Sequence, residues 1–218
     1  LDVTNDHLRG GLSGAAGVGT VIAPAVDMQA TSTACEDVPA ETAVDQSVAV
    51  QCAAGALLYA WSPGVTLERL IVDAEHDGKK AEFGLLTYLA SRVSLSDLEV
   101  TGASVAGVHL EFSPLSSVRR IYAHHNADGL RFVDSAGALV EQPRAIANTG
   151  RGIVVGNRAH SGRVVLSSWD AETNGGSGVA ILGQEIGPAP RLSGATLLSG
   201  RAENNGGPAV HVKQSNGV

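Results

Sequence analysis

One short phrase recurs along the chain: a glycine, an apolar residue, any residue, then a second residue that is nearly always apolar. It stands at Gly84-Leu-Leu-Thr, Gly107-Val-His-Leu, Gly129-Leu-Arg-Phe, Gly152-Ile-Val-Val and Gly178-Val-Ala-Ile, and Ala209-Val-His-Val repeats it with alanine for glycine. Successive copies start 23, 22, 23, 26 and 31 residues apart. The two longer steps accommodate inserted loops, and Gly183 to Pro190 has the Gly/Pro content of a turn. A second phrase, V-x-L-x-x-L-x-V, precedes the first at Val65 and Val93, with degenerate copies from Val118 and Val164. Both are short alternating runs and so predict strands, and no amphipathic helix of ten residues or more stands out. Asn126, Asn148, Asn174 and Asn204/Asn205 sit between the two phrases, where an amide tolerates left-handed backbone and can bond along a stack. Repeats of this length cannot bury their own apolar face, so they must stack into a solenoid.

A leucine-rich repeat has a similar period but demands leucine at fixed places, whereas these rungs use Val, Ile and Ala freely. The N-x-x-(x)-G-[VIL]-x-[VIL] pattern instead resembles the right-handed parallel β-helix repeat of the pectin-lyase-like superfamily, over roughly residues 65 to 213. The resemblance implies an all-β solenoid of about six recognisable rungs, and it does not specify an activity. Residues 1–64 form a lead-in to the same domain. Thr20-Val-Ile-Ala and Ser47-Val-Ala-Val are candidate early strands, and the polar stretch Asp27 to Asp45 is an excursion between them.

The composition sets limits. Of 218 residues 44% are apolar and the net charge is −7, which argues for an ordered chain and against a nucleic-acid binder. The longest nearly apolar stretch, Ala53 to Trp61, is too short for a membrane span of about 20 residues. Two cysteines, Cys35 and Cys52, fit one disulfide in a secreted or cell-surface protein; two buried free thiols are the alternative. A Cys35–Cys52 bond would fasten the excursion to the stack and contribute about 3 kcal/mol. The start at Leu1 and the uncapped strand at Ala209–Val212 lead us to expect a processed or excised piece of a longer solenoid, with further rungs or a partner at its open end.

Strand alternation also predicts faces. The residues one and three after each glycine face inward: Leu85, Val108, Leu130, Ile153, Val179 and Val210, then Thr87, Leu110, Phe132, Val155, Ile181 and Val212. The column between them faces outward, and rungs lie about 4.8 Å apart. His109 and Arg131 thereby become vertical neighbours, with Glu111 beside them and Asp128 one rung from Arg151. These five form one expected outward patch. Arg131 and Arg151 are candidate ligands for an acidic glycan, and Asp128, His109 and Glu111 are candidate catalytic acids or bases. Asn126-Ala-Asp-Gly-Leu-Arg is similar to the N-T-D-G-I-D strand of polygalacturonases, which implies a general acid at Asp128. The paired aspartates of that family are replaced here by Gly150-Arg151, and its Gly-His-Gly and Arg-Ile-Lys motifs are missing. The Asp-rich calcium site of pectate lyases and the Y-G-x-D-P-H motif of alginate epimerases are absent as well.

Other constellations carry less. His124-His125 with Asp128 lacks a third ligand at metal spacing, and the two rings are expected on opposite faces. Trp169 aligns with Leu98 and Ile121 and is expected in the core, and the Gly-rich stretch Gly10 to Gly19 lacks the Gly-Lys-Ser/Thr of a phosphate loop. No cofactor or metal is implied. The sequence reads as a structural, adhesive or glycan-binding module whose partner is a polysaccharide or other surface component. The alternative is a lyase, hydrolase or epimerase of uronate-containing glycans, as in a tailspike-like or surface depolymerase.

Overall fold

The computed structural model describes residues 55–157, 162–186, 189–191 and 193–213, and three short strands before them, Asp2–Val3, Leu12–Ser13 and Thr20–Ile22. The excursion with Cys35 and Cys52 lies outside the described residues.

Two parallel sheets form the walls. Sheet I stacks Ala56–Ala60, Phe83–Tyr88, Ala106–Glu111, Asp128–Val133, Ile153–Asn157, Val179–Ile186 and Val210–Lys213. Sheet II stacks Thr66–Asp73, Ser94–Thr101 and Ser117–His124. It continues as split strands, Leu139–Glu141 with Arg144–Ile146, Gly162–Ser167 with Asp170–Glu172, and Ser193–Leu198 with Arg201–Glu203. The chain alternates between the sheets once per rung, as the two sequence phrases require. The register agrees residue for residue with the glycine alignment: Val108 lies opposite Leu130, His109 opposite Arg131 and Leu110 opposite Phe132. Ile153 then lies opposite Val179, and Val179 opposite Val210. Among the described residues no helix is long and apolar enough to cross a membrane.

The inward columns fuse into one core, with Leu85, Val108, Leu130, Phe132, Ile153 and Ile181 fully buried. Thr87, the one polar member, donates its hydroxyl to Ser113 Oγ at 2.8 Å and is thereby satisfied. Among the described inward positions the last strand is the exception: Val210 and Val212 hold core positions yet are 37% and 47% exposed.

Two local devices make the rungs. The first is an asparagine ladder. The backbone and side-chain N–H groups of Asn126 both donate to Asn148 Oδ1, those of Asn148 to Asn174 Oδ1, and those of Asn174 to Asn205 Oδ1. This ladder explains the glycine that defines the repeat. A Cβ on Gly107 would come within 2.7 Å of Asn126 Nδ2 and 2.9 Å of the Gly129 carbonyl oxygen, so only glycine lets the rungs close up there. The second device sits inside V-x-L-x-x-L-x-V. The buried positions Val65, Leu67, Leu70 and Val72 are spaced two, three and two apart, which no plain strand allows. A single residue in left-handed conformation absorbs the extra step. Arg69, Asp97, Arg120, Gln142, Ser168 and Ser199 form that column, with φ of 49° to 56°. Sheet II is therefore bent into two facets.

Two hairpins leave the stack. Glu75–His76 pairs antiparallel with Lys79–Lys80 around Asp77-Gly78, both with positive φ, as a tight two-residue turn requires. In the second antiparallel pairing Gln184 lies opposite Arg191 and Ile186 opposite Ala189.

Candidate functional site

The five residues of the expected patch do come together on the outer side of sheet I. His109 Nε2 lies 3.1 Å from Glu111 Oε2, two residues along one strand. The Phe83 ring meets the His109 ring edge-on, with centroids 5.1 Å apart. One rung on, Arg131 approaches Asp128, Nε to Oδ2 at 3.6 Å. Arg151 grips Asp128 with its backbone N–H at 2.8 Å and with Nε and Nη2 at 3.3 and 3.1 Å.

This face is not the open surface that alternation alone leads one to expect. The His109 side chain is 2% exposed and that of Glu111 is 0%. Leu86, Val154 and Ala180 share the His109 column and are buried too, as are Tyr88 and Val133 beside Glu111. The physical reason is in those residues, because a column that carries Leu, Val and Ala outward belongs to a sheet buried on both faces. Arg131 and Arg151 keep partial exposure, with side chains at 26% and 35%, while Asp128 keeps 9%. The patch is thus two neighbouring buried groups, His109 with Glu111 and Asp128 with Arg151 and Arg131, rimmed by the two guanidinium groups.

Sheet II presents an open face. Its outward column, counted from the split strands, is Glu99, Tyr122, Arg144, Asp170 and Arg201. A groove of about 560 Å³ runs here, lined by Arg120, Tyr122, Gln142, Arg144, Ser168 and Asp170. Arg120 forks onto Asp97 of the rung above, Nε to Oδ1 and Nη2 to Oδ2, which holds the Asp97 carboxyl below its ordinary value. Arg201 forks onto Asp170 from below at 3.2–3.3 Å, and that contact raises the guanidinium above its ordinary value. The Arg144 guanidinium lies over the Tyr122 ring, 5.0 Å from its centroid. None of these groove residues was among the sequence candidates. The signal was available in the V-x-L-x-x-L-x-V strands, but it becomes legible only once the three-residue step is placed.

The histidine pair departs from expectation. His124 Nδ1 and His125 Nδ1 are 2.7 Å apart, so the rings meet instead of facing opposite ways. His125 has φ of 55°, and a left-handed residue does not obey strand alternation. His124 also reaches Glu99 through Nε2 at 3.1 Å and stacks on Tyr122. Among the described residues no group of three or more His, Cys, Asp or Glu is placed to hold a metal. Trp169 is in the core, as its alignment requires, and packs over Gly200, whereas Trp61 is half exposed.

Solved structures share this architecture. The periplasmic alginate epimerase AlgG superposes with a TM-score of 0.52 at 14% identity, over 76% of this chain and 48% of that one. The fold shared with it is a right-handed parallel β-helix. A mutant of AlgG matches the β-helix at a TM-score of 0.49 and 13% identity, over 76% of this chain and 48% of that one. The catalytic domain of a GH87 α-1,3-glucanase in complex with nigerose matches at 0.28 and 9% identity, over 77% and 50%. The chain spans about half the length of these structures. No protein-family model and no curated protein matches it.

Proposed function

We propose that this β-helix is a glycan-binding module of an exported or cell-surface protein, and that it holds polysaccharide along its flank without chemistry at the His109 patch. The observation that carries the reading is the state of the acid–base candidates. A general acid or base must reach the proton it moves. His109 and Glu111 are instead buried against each other, and Asp128 is engaged by Arg151, by a backbone N–H and by Arg131. The open, polar groove lies on the other sheet. The glycan partner and the exported location find support in the kind of protein that shares the fold, a periplasmic alginate epimerase.

The test is a panel of alginate, polygalacturonate and α-1,3-glucan. Binding is followed by affinity electrophoresis, and turnover by reducing ends, by ultraviolet absorbance of unsaturated uronates and by NMR of the sugar epimers. Retention of at least one polysaccharide with no turnover is expected. Turnover lost in Asp128→Asn or Arg131→Gln would overturn the reading. It would establish the alternative, an enzyme working at the patch. One geometry favours that alternative: an imidazole 3.1 Å from a carboxylate with an arginine on the adjoining strand.

A further inference from the structure

The charges around the sheet II groove pair off, with one exception. Arg120 is committed to Asp97 through two parallel hydrogen bonds. Both oxygens of Asp170 accept from Arg201. Arg119 and Glu141 form their own ion pair at 3.0 Å beside the groove. Arg144 remains. Its one carboxylate neighbour within ion-pair range, Asp170 Oδ2, stands 3.7 Å from Nε, too far for a hydrogen bond, and that oxygen is already held by Arg201. No hydrogen bond among the described residues takes up the Arg144 N–H groups.

Arg144 is nevertheless not a loose surface chain. Its guanidinium is laid on the Tyr122 ring, Tyr122 stacks on His124, and Glu99 fixes His124. The result is a flat cation, half exposed, held in place on an aromatic face with its donor fork unspent. The group that matches such a fork is a carboxylate, which accepts two parallel N–H bonds. Around it stand the Gln142 amide, the Ser168 hydroxyl and the Asp170 carboxylate, all suited to exchanging hydrogen bonds with hydroxyl groups. A carboxylate ringed by hydroxyls is the chemistry of a uronic acid residue. An acidic peptide offers the first without the second and would leave Gln142, Ser168 and Asp170 without hydroxyl partners.

We infer that the sheet II groove is a subsite for a uronate residue of an acidic polysaccharide, with Arg144 clasping the sugar carboxylate. The inference rests on the glycan-binding reading above and names its site and ligand class.

The experiment is calorimetric titration of the intact chain with oligogalacturonate and oligoalginate, each as the free acid and as its methyl ester, and with an oligoglutamate of equal length. One free-acid oligosaccharide is expected to bind at least about tenfold more tightly than its ester. Arg144→Gln is expected to reduce the acid to the level of the ester and leave the ester unchanged. Arg144→Lys keeps the charge without the fork and is expected to fall between, while Arg119→Gln has no effect. Thermal melts of each variant verify that the rungs are intact. Equal binding of acid and ester, indifference to Arg144→Gln, or preference for oligoglutamate would overturn the inference while leaving a glycan-binding module in place. Failure of every polysaccharide in the panel to bind would overturn that broader reading as well.

Discussion

The outer faces of the two sheets differ more than their shared rungs suggest. Both belong to the same turns of chain, cover the same core and alternate in the same way. Yet the outer face of sheet I buries His109 and Glu111 among Leu86, Tyr88, Val133 and Val154, while that of sheet II exposes a lattice of Arg, Asp and Glu around a groove. Alternation separates inside from outside. It does not separate outside from open. The distinction is chemical, because two like-looking carboxylates on the two faces carry different consequences.

The sharpest way to break this comparison is to place the same charge on both faces. Val133→Asp on sheet I is expected to cost more than about 3 kcal/mol, since a carboxylate would be buried there beside that of Glu111. Arg119→Asp on sheet II should shift stability by less than about 1 kcal/mol. Urea unfolding compares the two directly, and equal costs would mean that the sheet I face is open after all.

Removing carboxylates tests the same contrast with less disturbance. Glu111→Ala strips His109 of its partner at 3.1 Å and should cost about 3 kcal/mol. Glu141→Ala breaks an exposed pair with Arg119 and should cost less than about 0.5 kcal/mol. Between the faces runs the asparagine corner. Asn148→Ala leaves the buried Asn126 backbone N–H without its acceptor, while the side-chain amide keeps the Val100 and His124 carbonyls, and should cost about 2–3 kcal/mol, read from thermal melts. The same change at Asn205, which is only partly buried, should cost less than half as much.

The smallest effect concerns pH. Arg120 holds the folded Asp97 carboxyl below its unfolded value. Its stabilising share is therefore present above the unfolded pKa and is lost as pH falls through the depressed folded one. The pair is exposed, so the share is small. Wild-type stability should fall slightly more steeply below about pH 4 than that of Asp97→Asn, and parallel acid limbs would show that the pair contributes nothing.

Much of this molecule was legible from its sequence, for reasons specific to particular residues. Gly107, Gly129 and Gly152 mark where rungs touch backbone to backbone, so the spacing of glycines carries the register itself. Asn126, Asn148 and Asn174 mark the corner for the same reason. The burial of His109 was not legible in the same way, although Leu86 and Val154 in its column were a readable sign. The facet break was hidden because Arg69, Asp97 and Arg120 are unremarkable residue types, and a left-handed backbone leaves no mark when side chains other than Gly or Asn adopt it. The groove was missed with it. Gln142, Arg144 and Asp170 share a surface only after that break is placed.

The last described strand, Val210–Lys213, has core residues but no neighbour beyond it among the described residues. Since each rung touches only the next, such a stack loosens first at the rung whose core residues are most exposed, here Val210 and Val212. Amide exchange along the chain would then run as a graded clock, quick at Val212, slower at Ile181 and slowest near Phe132. Anything that seats a strand against Val210–Lys213 would stop that clock at its fast end, and every rung behind it would slow in turn.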